Sequence, residues 1–588
     1  MGILPRAGGK TMRERLAGLP AQGNLGSAAI AALTVVVVGV DVAAGVAPTG
    51  AVAVVVMLAV TAALLVSGLR ELRARRLGRL FGLLLVAVTG FATLRAYVFG
   101  VQVLAPASAA ALTYDLVWLA LAGVTSGSLW AREHLVVALQ QISQRPRRVL
   151  AGSFALLIVG TTLLLTLPVS VRGVASVSLV DALFTATSAV CVTGLTVNDI
   201  GKTYTVFGQG VILLAVQLGG VGIMTLAALA VTAIRDAIAH KSRYARMLEV
   251  DSIQTLRAIV RGVVVGTVAF EAVGTLLLWW LWSGRTDLGS GSKLWLALFH
   301  AVSAFCNAGF SLFSGNLARF TNDAPTQLVI MALIIVGGLG FPVWRGLGLH
   351  GGRRAWHLVK KGAARPVHSD LGTRVALLVS ALLIVVGAAA FAILEWTHAF
   401  SRLSIPSSVL NACFCSVTAR TAGFNTVGFE AMRDGTLLVT MALMFIGGSP
   451  GGTAGGIKTT TLAIIAAALN AELRGHEPRL LGRGLGADIV RRAVAVATIS
   501  FAGVFVALFA LSLTEHHSLR SLAFEVVSAF GTTGLSTGLT PLLSNAGKLI
   551  LVVTMFAGRV GPLTLALAVG LERKRALHRL PNESLPVG

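Results

Sequence analysis

Charged residues are scarce in this sequence. Asp, Glu, Lys and Arg together make up 12% of the 588 residues, whereas apolar residues make up 55%. Soluble proteins of ordinary composition are about 25% charged. The scarcity of charge therefore excludes a soluble protein and indicates a protein that lives in a membrane.

The sequence also lacks the residue groupings that an enzyme or a metal centre needs. Its histidines are scattered through predicted loops, with no paired acids, no nucleophile beside a base and no metal-ligand spacing. The four cysteines lie in or beside apolar segments, where cysteine acts as a small packing residue. They are Cys191, Cys306, Cys413 and Cys415. We expect neither catalysis nor a cofactor bound to this chain.

Long apolar runs are what the sequence does contain. Runs of roughly 18 or more residues, each able to cross a hydrocarbon core of about 30 Å, recur about twelve times. Four precede residue 149 and the others come in pairs. This pattern predicts an all-α membrane protein whose N-terminal extension, residues 1–148, holds about four transmembrane helices.

Basic residues outnumber acidic residues and give a net charge of +24. They concentrate in alternate predicted loops, such as residues 70–79, 145–148 and 353–361, and in the tail at 573–575. This alternation follows the positive-inside rule, so it indicates orientation in a bilayer rather than binding to nucleic acid. We expect a multi-pass protein of the plasma (inner) membrane with both termini in the cytoplasm.

One short pattern occurs four times at intervals of about 110 to 115 residues, which indicates an internal repeat. The four glycine segments are Thr193-Gly194-Leu195, Ala308-Gly309-Phe310, Ala422-Gly423-Phe424 and Thr533-Gly534-Leu535. In the first, second and fourth, a serine precedes the glycine by six residues: Ser188, Ser303 and Ser528. Since each segment lies between two apolar stretches, we predict four helix, pore-loop, helix repeats around one pore.

The apolar pairs set the boundaries of these predicted repeats. Repeat one covers 149–235, repeat two 236–350, repeat three 351–470, and repeat four with a cytoplasmic tail 471–588. Irregular backbone at membrane depth must be buried in protein or line a water-filled path. We therefore expect the four glycine segments to converge on one axis.

The residues around the four glycines are neutral. No acidic residue occurs within three positions of any of them, whereas a divalent-cation filter would offer a ring of carboxylates. Glycine permits backbone angles that turn carbonyl oxygens inward to replace the water shell of a cation. Four glycines at matched spacing outweigh the alternative that they only allow close helix packing. The segments predict a filter for a monovalent cation.

At these residues the chain resembles the Trk/Ktr/HKT superfamily of potassium transporters, over about residues 149–571. The resemblance implies a filter for potassium, since glycine rather than serine stands at position 194. A sodium-permeable or sodium-coupled transporter is the alternative, with Na⁺ as a coupling or regulatory ion. The implied filter residues are Val192, Thr193, Gly194, Leu195, Asn307, Ala308, Gly309, Phe310, Thr421, Ala422, Gly423, Phe424, Thr532, Thr533, Gly534 and Leu535.

The resemblance also implies partners. Members of the family usually work with a separate cytoplasmic ring of nucleotide-binding regulatory domains, and a homodimer of the membrane subunit is expected. The basic linkers 235–257 and 345–374 offer a surface for such a ring. Anionic membrane lipids are an equally suitable counterpart for these linkers, and the sequence leaves both open.

Glycine and proline interrupt the second apolar stretch of predicted repeat three, so no continuous helix is expected there. A phosphate-binding loop would place Lys directly after Gly, but Ile457 intervenes. The stretch resembles the family's intramembrane gating loop, and a static kink is the alternative. The predicted gate residues in this stretch are Gly447, Gly448, Ser449, Pro450, Gly451, Gly452, Thr453, Ala454, Gly455, Gly456 and Lys458.

Arg559 is the remaining predicted gate residue. It lies in the middle of the last predicted span, where a guanidinium costs about 2.5–3.5 kcal/mol and should face water or a partner. Two interpretations stay open from the sequence. Arg559 either places a positive charge in the pore or pairs structurally with Glu525 of the fourth half-helix.

Overall fold

The computed structural model describes residues 146–173, 177–221, 253–288, 292–340, 343–344, 347 and 371–561. The predicted N-terminal extension, the basic linkers 235–257 and 345–374, and the tail beyond 561 lie wholly or largely outside these residues.

The described residues are helical apart from one hairpin. The first helices are α1 (Pro146–Leu165), α2 (Leu179–Val190), α3 (Ile200–Thr203), α4 (Val206–Gly220), α5 (Ile253–Ser283), α6 (Lys293–Phe305) and α7 (Ala324–Leu339). The later helices are α8 (Leu371–Glu395), α9 (Ile405–Ala419), α10 (Asp434–Phe445), α11 (Thr459–Arg474), α12 (Ala487–Thr514), α13 (Leu519–Gly531) and α14 (Asn545–Val560). The hairpin between α11 and α12 pairs β1 (Arg479–Leu480) with β2 (Arg483–Gly484). Single turns of 3-10 helix occur at Pro168–Ser170, Ala318–Phe320 and Thr540–Leu542.

The short helices α2, α6, α9 and α13 each end two or three positions before a glycine segment, and they begin in the same way. A serine caps each one, and its hydroxyl accepts a hydrogen bond from the backbone N–H three residues later. Such a cap satisfies one of the N–H groups that a helix start leaves without a partner. The caps are Ser178, Ser292, Ser404 and Ser518.

Three helices in the described part of the chain are long and apolar enough to cross a membrane. They are Arg261–Ser283 of α5, together with α8 and α12. Large apolar side chains on these helices, including Trp280, Ile393 and Phe501, are exposed. Apolar surface of this extent suits contact with lipid.

The helices contact one another in a closed cyclic order. Each short helix packs against the helix before it and the helix that follows its glycine segment. In addition α4 contacts α6, α7 contacts α9, and α10 contacts α13, while α14 returns to contact α2. The chain therefore closes into a ring of helices that surrounds the four glycine segments.

An ion pair joins α14 to α2, at the contact that closes this ring of helices. Lys548 Nζ of α14 donates to Asp181 Oδ1 of α2 over 2.7 Å, and the two side chains are 10% and 19% exposed. The residues are 367 positions apart in sequence. Because both groups are largely shielded from water, removal of either one would leave the other as a largely buried charge without a partner, which is unfavourable.

Replacing Lys548 with Met should lower the melting temperature in detergent. The change leaves the Asp181 carboxylate without its cation, which costs about 1–3 kcal/mol. Lys202→Met is the matched control, since Lys202 is 76% exposed and its nitrogen lies 3.9 Å from Asp199 Oδ2. Equal melting temperatures for the two variants would show that the Lys548–Asp181 pair does not stabilise the contact between α14 and α2.

Candidate functional site

The four glycine segments share one backbone conformation. Two residues before each glycine, a non-glycine residue has a positive φ angle: Val192 (56°), Asn307 (59°), Thr421 (67°) and Thr532 (50°). The glycines have φ angles of 93° (Gly194), 70° (Gly309), 76° (Gly423) and 91° (Gly534). Val and Thr rarely adopt positive φ, so the surrounding structure must hold them in it.

The four glycines also lie against one another in sequence order. A β-carbon on each would lie far inside contact distance of the carbonyl oxygen of the next segment. The distances are 2.2 Å from Gly194 to Ala308 O, 2.7 Å from Gly309 to Ala422 O, 2.4 Å from Gly423 to Thr533 O, and 2.2 Å from Gly534 to Thr193 O. Glycine is therefore required at these positions both for its φ angle and for space. We call Gly194, Gly309, Gly423 and Gly534 the glycine ring.

Hydroxyl groups at the ends of the short helices support the ring. Ser188 and Ser528 accept hydrogen bonds from the N–H groups of Gly194 (3.0 Å) and Gly534 (3.1 Å). Ser303 instead donates to Phe310 O over 2.8 Å. In the third segment Thr418 takes this role by donating to Phe424 O over 2.6 Å. Sequence reasoning missed Thr418, because the third segment places its hydroxyl one residue nearer to the glycine.

Several oxygens at the ring have no protein partner. The side chains of the predicted filter residues are at most 2% exposed. Among the residues that the structure describes, the buried hydroxyls of four of them make no hydrogen bond: Thr193, Thr421, Thr532 and Thr533. Burial of a polar atom without a partner is unfavourable. The structure therefore leaves these four oxygens without the hydrogen bond that a buried hydroxyl normally makes.

The glycine-rich segment 447–456 folds into a compact loop between α10 and α11. Gly447 N–H donates to Ile457 O (2.9 Å) and Ile457 N–H donates to Phe445 O (3.0 Å), which closes the base of the loop. The N–H groups of Ser449 and Thr453 donate to carbonyls at the end of α7, Gly338 O (3.1 Å) and Gly337 O (3.3 Å) respectively.

The same segment lies directly beside Thr532, two residues before the ring glycine Gly534. A β-carbon on Gly455 would lie 2.0 Å from the free hydroxyl of Thr532. Arg420, which precedes the third glycine segment and is 9% exposed, donates to Gly447 O over 3.3 Å. Sequence reasoning assigned Arg420 no role. Its only sequence signal was a lone cation beside a glycine segment.

Two cations donate hydrogen bonds to backbone carbonyls of the same segment. Lys458 Nζ donates to Ala454 O over 2.6 Å. Arg559 donates to Thr453 O in the segment and to Gly219 O at the end of α4. Both cations border a cavity of about 450 Å³, whose walls include Thr453, Ala454 and the ends of α4, α7 and α14.

The alternative pairing of Arg559 with Glu525 is wrong. The Glu525 carboxylate accepts from the hydroxyls of Ser536 and Thr540 (2.7 Å) and from Thr537 N–H (3.1 Å), on the chain that follows Gly534. The two terminal nitrogens of Arg559 instead donate to backbone carbonyls, Thr453 O and Gly219 O, and its buried Nε has no partner among the described residues. Such acceptors are available wherever a helix ends, and a sequence does not reveal them.

Comparison with known proteins identifies the family. Residues 121–576 match the TrkH family model, described as a cation transport protein. The Ktr system potassium uptake protein B of Bacillus subtilis is 39% identical over 426 residues, which cover 71% of this chain and 92% of that protein. The potassium/sodium uptake protein NtpJ of Enterococcus hirae is 36% identical over 453 residues, covering 75% of this chain and 97% of that one.

A solved structure shares the fold. The potassium transporter TrkH from Vibrio parahaemolyticus aligns with a TM-score of 0.54 at 21% sequence identity, covering 72% of this chain and 85% of that one. The resemblance to the Trk/Ktr/HKT superfamily is thereby confirmed, and the family is one of ion transporters rather than enzymes. The chain is an integral membrane protein that belongs to the TrkH family of cation transport proteins.

Proposed function

We propose that this chain is the potassium-translocating membrane subunit of a Trk/Ktr-type uptake system. The observation that carries the proposal is the glycine ring, in which four backbone segments meet beside buried hydroxyls that have no partner among the described residues. The names of the relatives agree with it, since they are potassium uptake or potassium/sodium uptake proteins.

In this proposal the ring and its neighbours form the selectivity filter. A partly dehydrated potassium ion exchanges water for carbonyl oxygens of the four glycine segments, and the free threonine hydroxyls add ligands. The short helices α2, α6, α9 and α13 end at the ring, so the negative ends of their dipoles favour a cation there. The four predicted repeats, 149–235, 236–350, 351–470 and 471–588, would then each supply one quarter of a single pore.

We further propose that segment 447–456 is the gate, and that hydrogen bonds from Lys458 and Arg559 hold it closed. The segment lies against Thr532 of the filter, and it also lines the 450 Å³ cavity. An ion leaving the filter past Thr532 would meet the segment before the cavity. The gate would open when the segment leaves its hydrogen bonds to α7 and Arg559.

The remaining parts of the proposal concern location and partners. The protein would lie in the plasma membrane with cytoplasmic termini, as a homodimer beneath which a separate ring of nucleotide-binding domains docks. The direct test of the core function is uptake by the purified protein in liposomes, with K⁺, Rb⁺ and Na⁺ compared. Uptake of K⁺ and Rb⁺ well above that of Na⁺ supports a potassium filter, whereas equal Na⁺ uptake supports the sodium-permeable alternative.

Gly194→Ser should weaken the preference for K⁺ over Na⁺. Its β-carbon would meet Ala308 O at 2.2 Å, so the ring must widen or distort. We expect the K⁺ to Na⁺ uptake ratio to fall about fivefold or more, which is about 1 kcal/mol of discrimination. Gly173→Ser is the matched control, because Gly173 has a φ of 76° but nothing within 4 Å of the added carbon. An unchanged ratio in Gly194→Ser would remove this segment from the filter.

Arg559→Gln should raise K⁺ flux in liposomes that contain no regulatory partner. The change removes charged donors from Thr453 O and Gly219 O, each such bond being worth about 1.5–3 kcal/mol. If the substitution destabilises the closed state relative to the open state by about 1.4 kcal/mol, the ratio of open to closed protein rises about tenfold. Arg491→Gln is the control, since Arg491 is 72% exposed and pairs with Asp488. If the Arg559→Gln protein is well folded and its K⁺ flux equals that of the wild type, Arg559 does not hold the gate closed.

A further inference from the structure

One position after each ring glycine lies near the loop of the next segment in three of the four cases. It lies seven residues after the ring glycine and is occupied by Gly201, Asn316, Glu430 and Pro541 in turn. Gly201 packs against the second segment, where a β-carbon would lie 2.1 Å from Leu312 O. Glu430 reaches toward the fourth segment, with Oε2 lying 3.8 Å from a β-carbon built on Gly538. The four positions are equivalent in sequence and carry four different side chains.

Asn316 alone among these residues donates a hydrogen bond from its side chain to the glycine ring, within the described part of the chain. Its Nδ2 lies 3.3 Å from Gly309 O and 3.4 Å from Gly423 O, so one amide group spans two neighbouring segments. Its Oδ1 is buried and has no partner among the described residues. The amide therefore lies at the edge of the ring, with an acceptor oxygen left free beside it.

The backbone around Asn316 is held in place. Asn316 has a φ of 57°, and its N–H donates to Phe313 O over 3.1 Å. The next residue, Leu317, donates its N–H to Asn425 O of the third segment over 3.1 Å. The amide is thus anchored to both segments that it bridges, and its position does not depend on the side chain alone.

We propose that Asn316 is a specificity-determining residue at the edge of the filter. This inference rests on the proposed potassium function. The two N–H donors fix the separation of Gly309 O and Gly423 O, and they draw part of the negative charge of these carbonyls away from the ion. Both the number and the field strength of coordinating carbonyls bear on the choice between K⁺ and Na⁺. Gly201 and Pro541 have no side-chain donor, and the Glu430 carboxylate can only accept hydrogen bonds. Among these four positions, only Asn316 can therefore donate from its side chain to the carbonyls of two neighbouring segments.

Two variants remove the donors in different ways. Asn316→Gly deletes the amide and tolerates the positive φ without strain. Asn316→Asp keeps the shape, and Asp also tolerates this region of φ, but its carboxylate cannot donate to carbonyls. Asn322→Asp is the matched control, because Asn322 is an exposed asparagine near the same loop and gains the same charge. Each protein is purified whole, and its melting temperature in detergent and its K⁺, Rb⁺ and Na⁺ uptake in liposomes are measured.

We expect both Asn316 variants to keep K⁺ uptake while their K⁺ to Na⁺ ratio falls about fivefold, a change of about 1 kcal/mol. The ratio of Asn322→Asp should stay at that of the wild type. If the wild type selects K⁺ and the Asn316 variants keep its ratio, the role of Asn316 is overturned while the potassium function stands. If Asn316→Gly does not fold, the isosteric Asn316→Asp decides alone. A wild type that takes up no K⁺ overturns the proposed function itself.

Discussion

The close approach of four backbone segments about one centre is the constraint on which the rest of this structure depends. At each ring glycine the space for a β-carbon is taken by the carbonyl of the next segment, so the ring exists only if all four segments hold their positions together. The closed cyclic contacts of the helices and the Lys548–Asp181 pair serve this requirement. Loss of the contact between any two neighbouring segments would open a gap at the centre. Because these contacts are made by backbone atoms, no side chain would fill that gap.

The ring concentrates polar atoms where burial is otherwise complete. Four short helices bring their carbonyl ends to it, and buried threonine hydroxyls beside it have no partner among the described residues. Burial of polar atoms without partners is unfavourable, and the C-terminal ends of helices favour a nearby cation. The filter that we propose rests on this arrangement, in which a cation would supply the partner that these oxygens lack.

The departures from fourfold similarity cluster at the third glycine segment and at its contact with the second. Thr418 replaces the serine of the other segments, and Arg420 beside it joins the third segment to segment 447–456. Asn316 spans the neighbouring junction of the second and third segments. Segment 447–456 itself follows α10, which has 12 residues, whereas α7 and α14 have 16 each. The hydrogen bond from Arg420 to Gly447 O therefore connects the proposed filter to the proposed gate. A movement of the gate segment would change this bond.

The sequence by itself determined the membrane setting, the family and the positions of the four ring glycines. Composition and periodicity are local properties, and a residue such as Gly194 is required by its own backbone angle as well as by its neighbours. Only the tertiary structure decided which groups meet. Arg559 binds backbone carbonyls rather than Glu525, and Asn316 bridges to Gly423 across 107 positions. Backbone carbonyls occur at every residue, so no sequence pattern shows which of them an arginine or an asparagine will reach once the helices have packed.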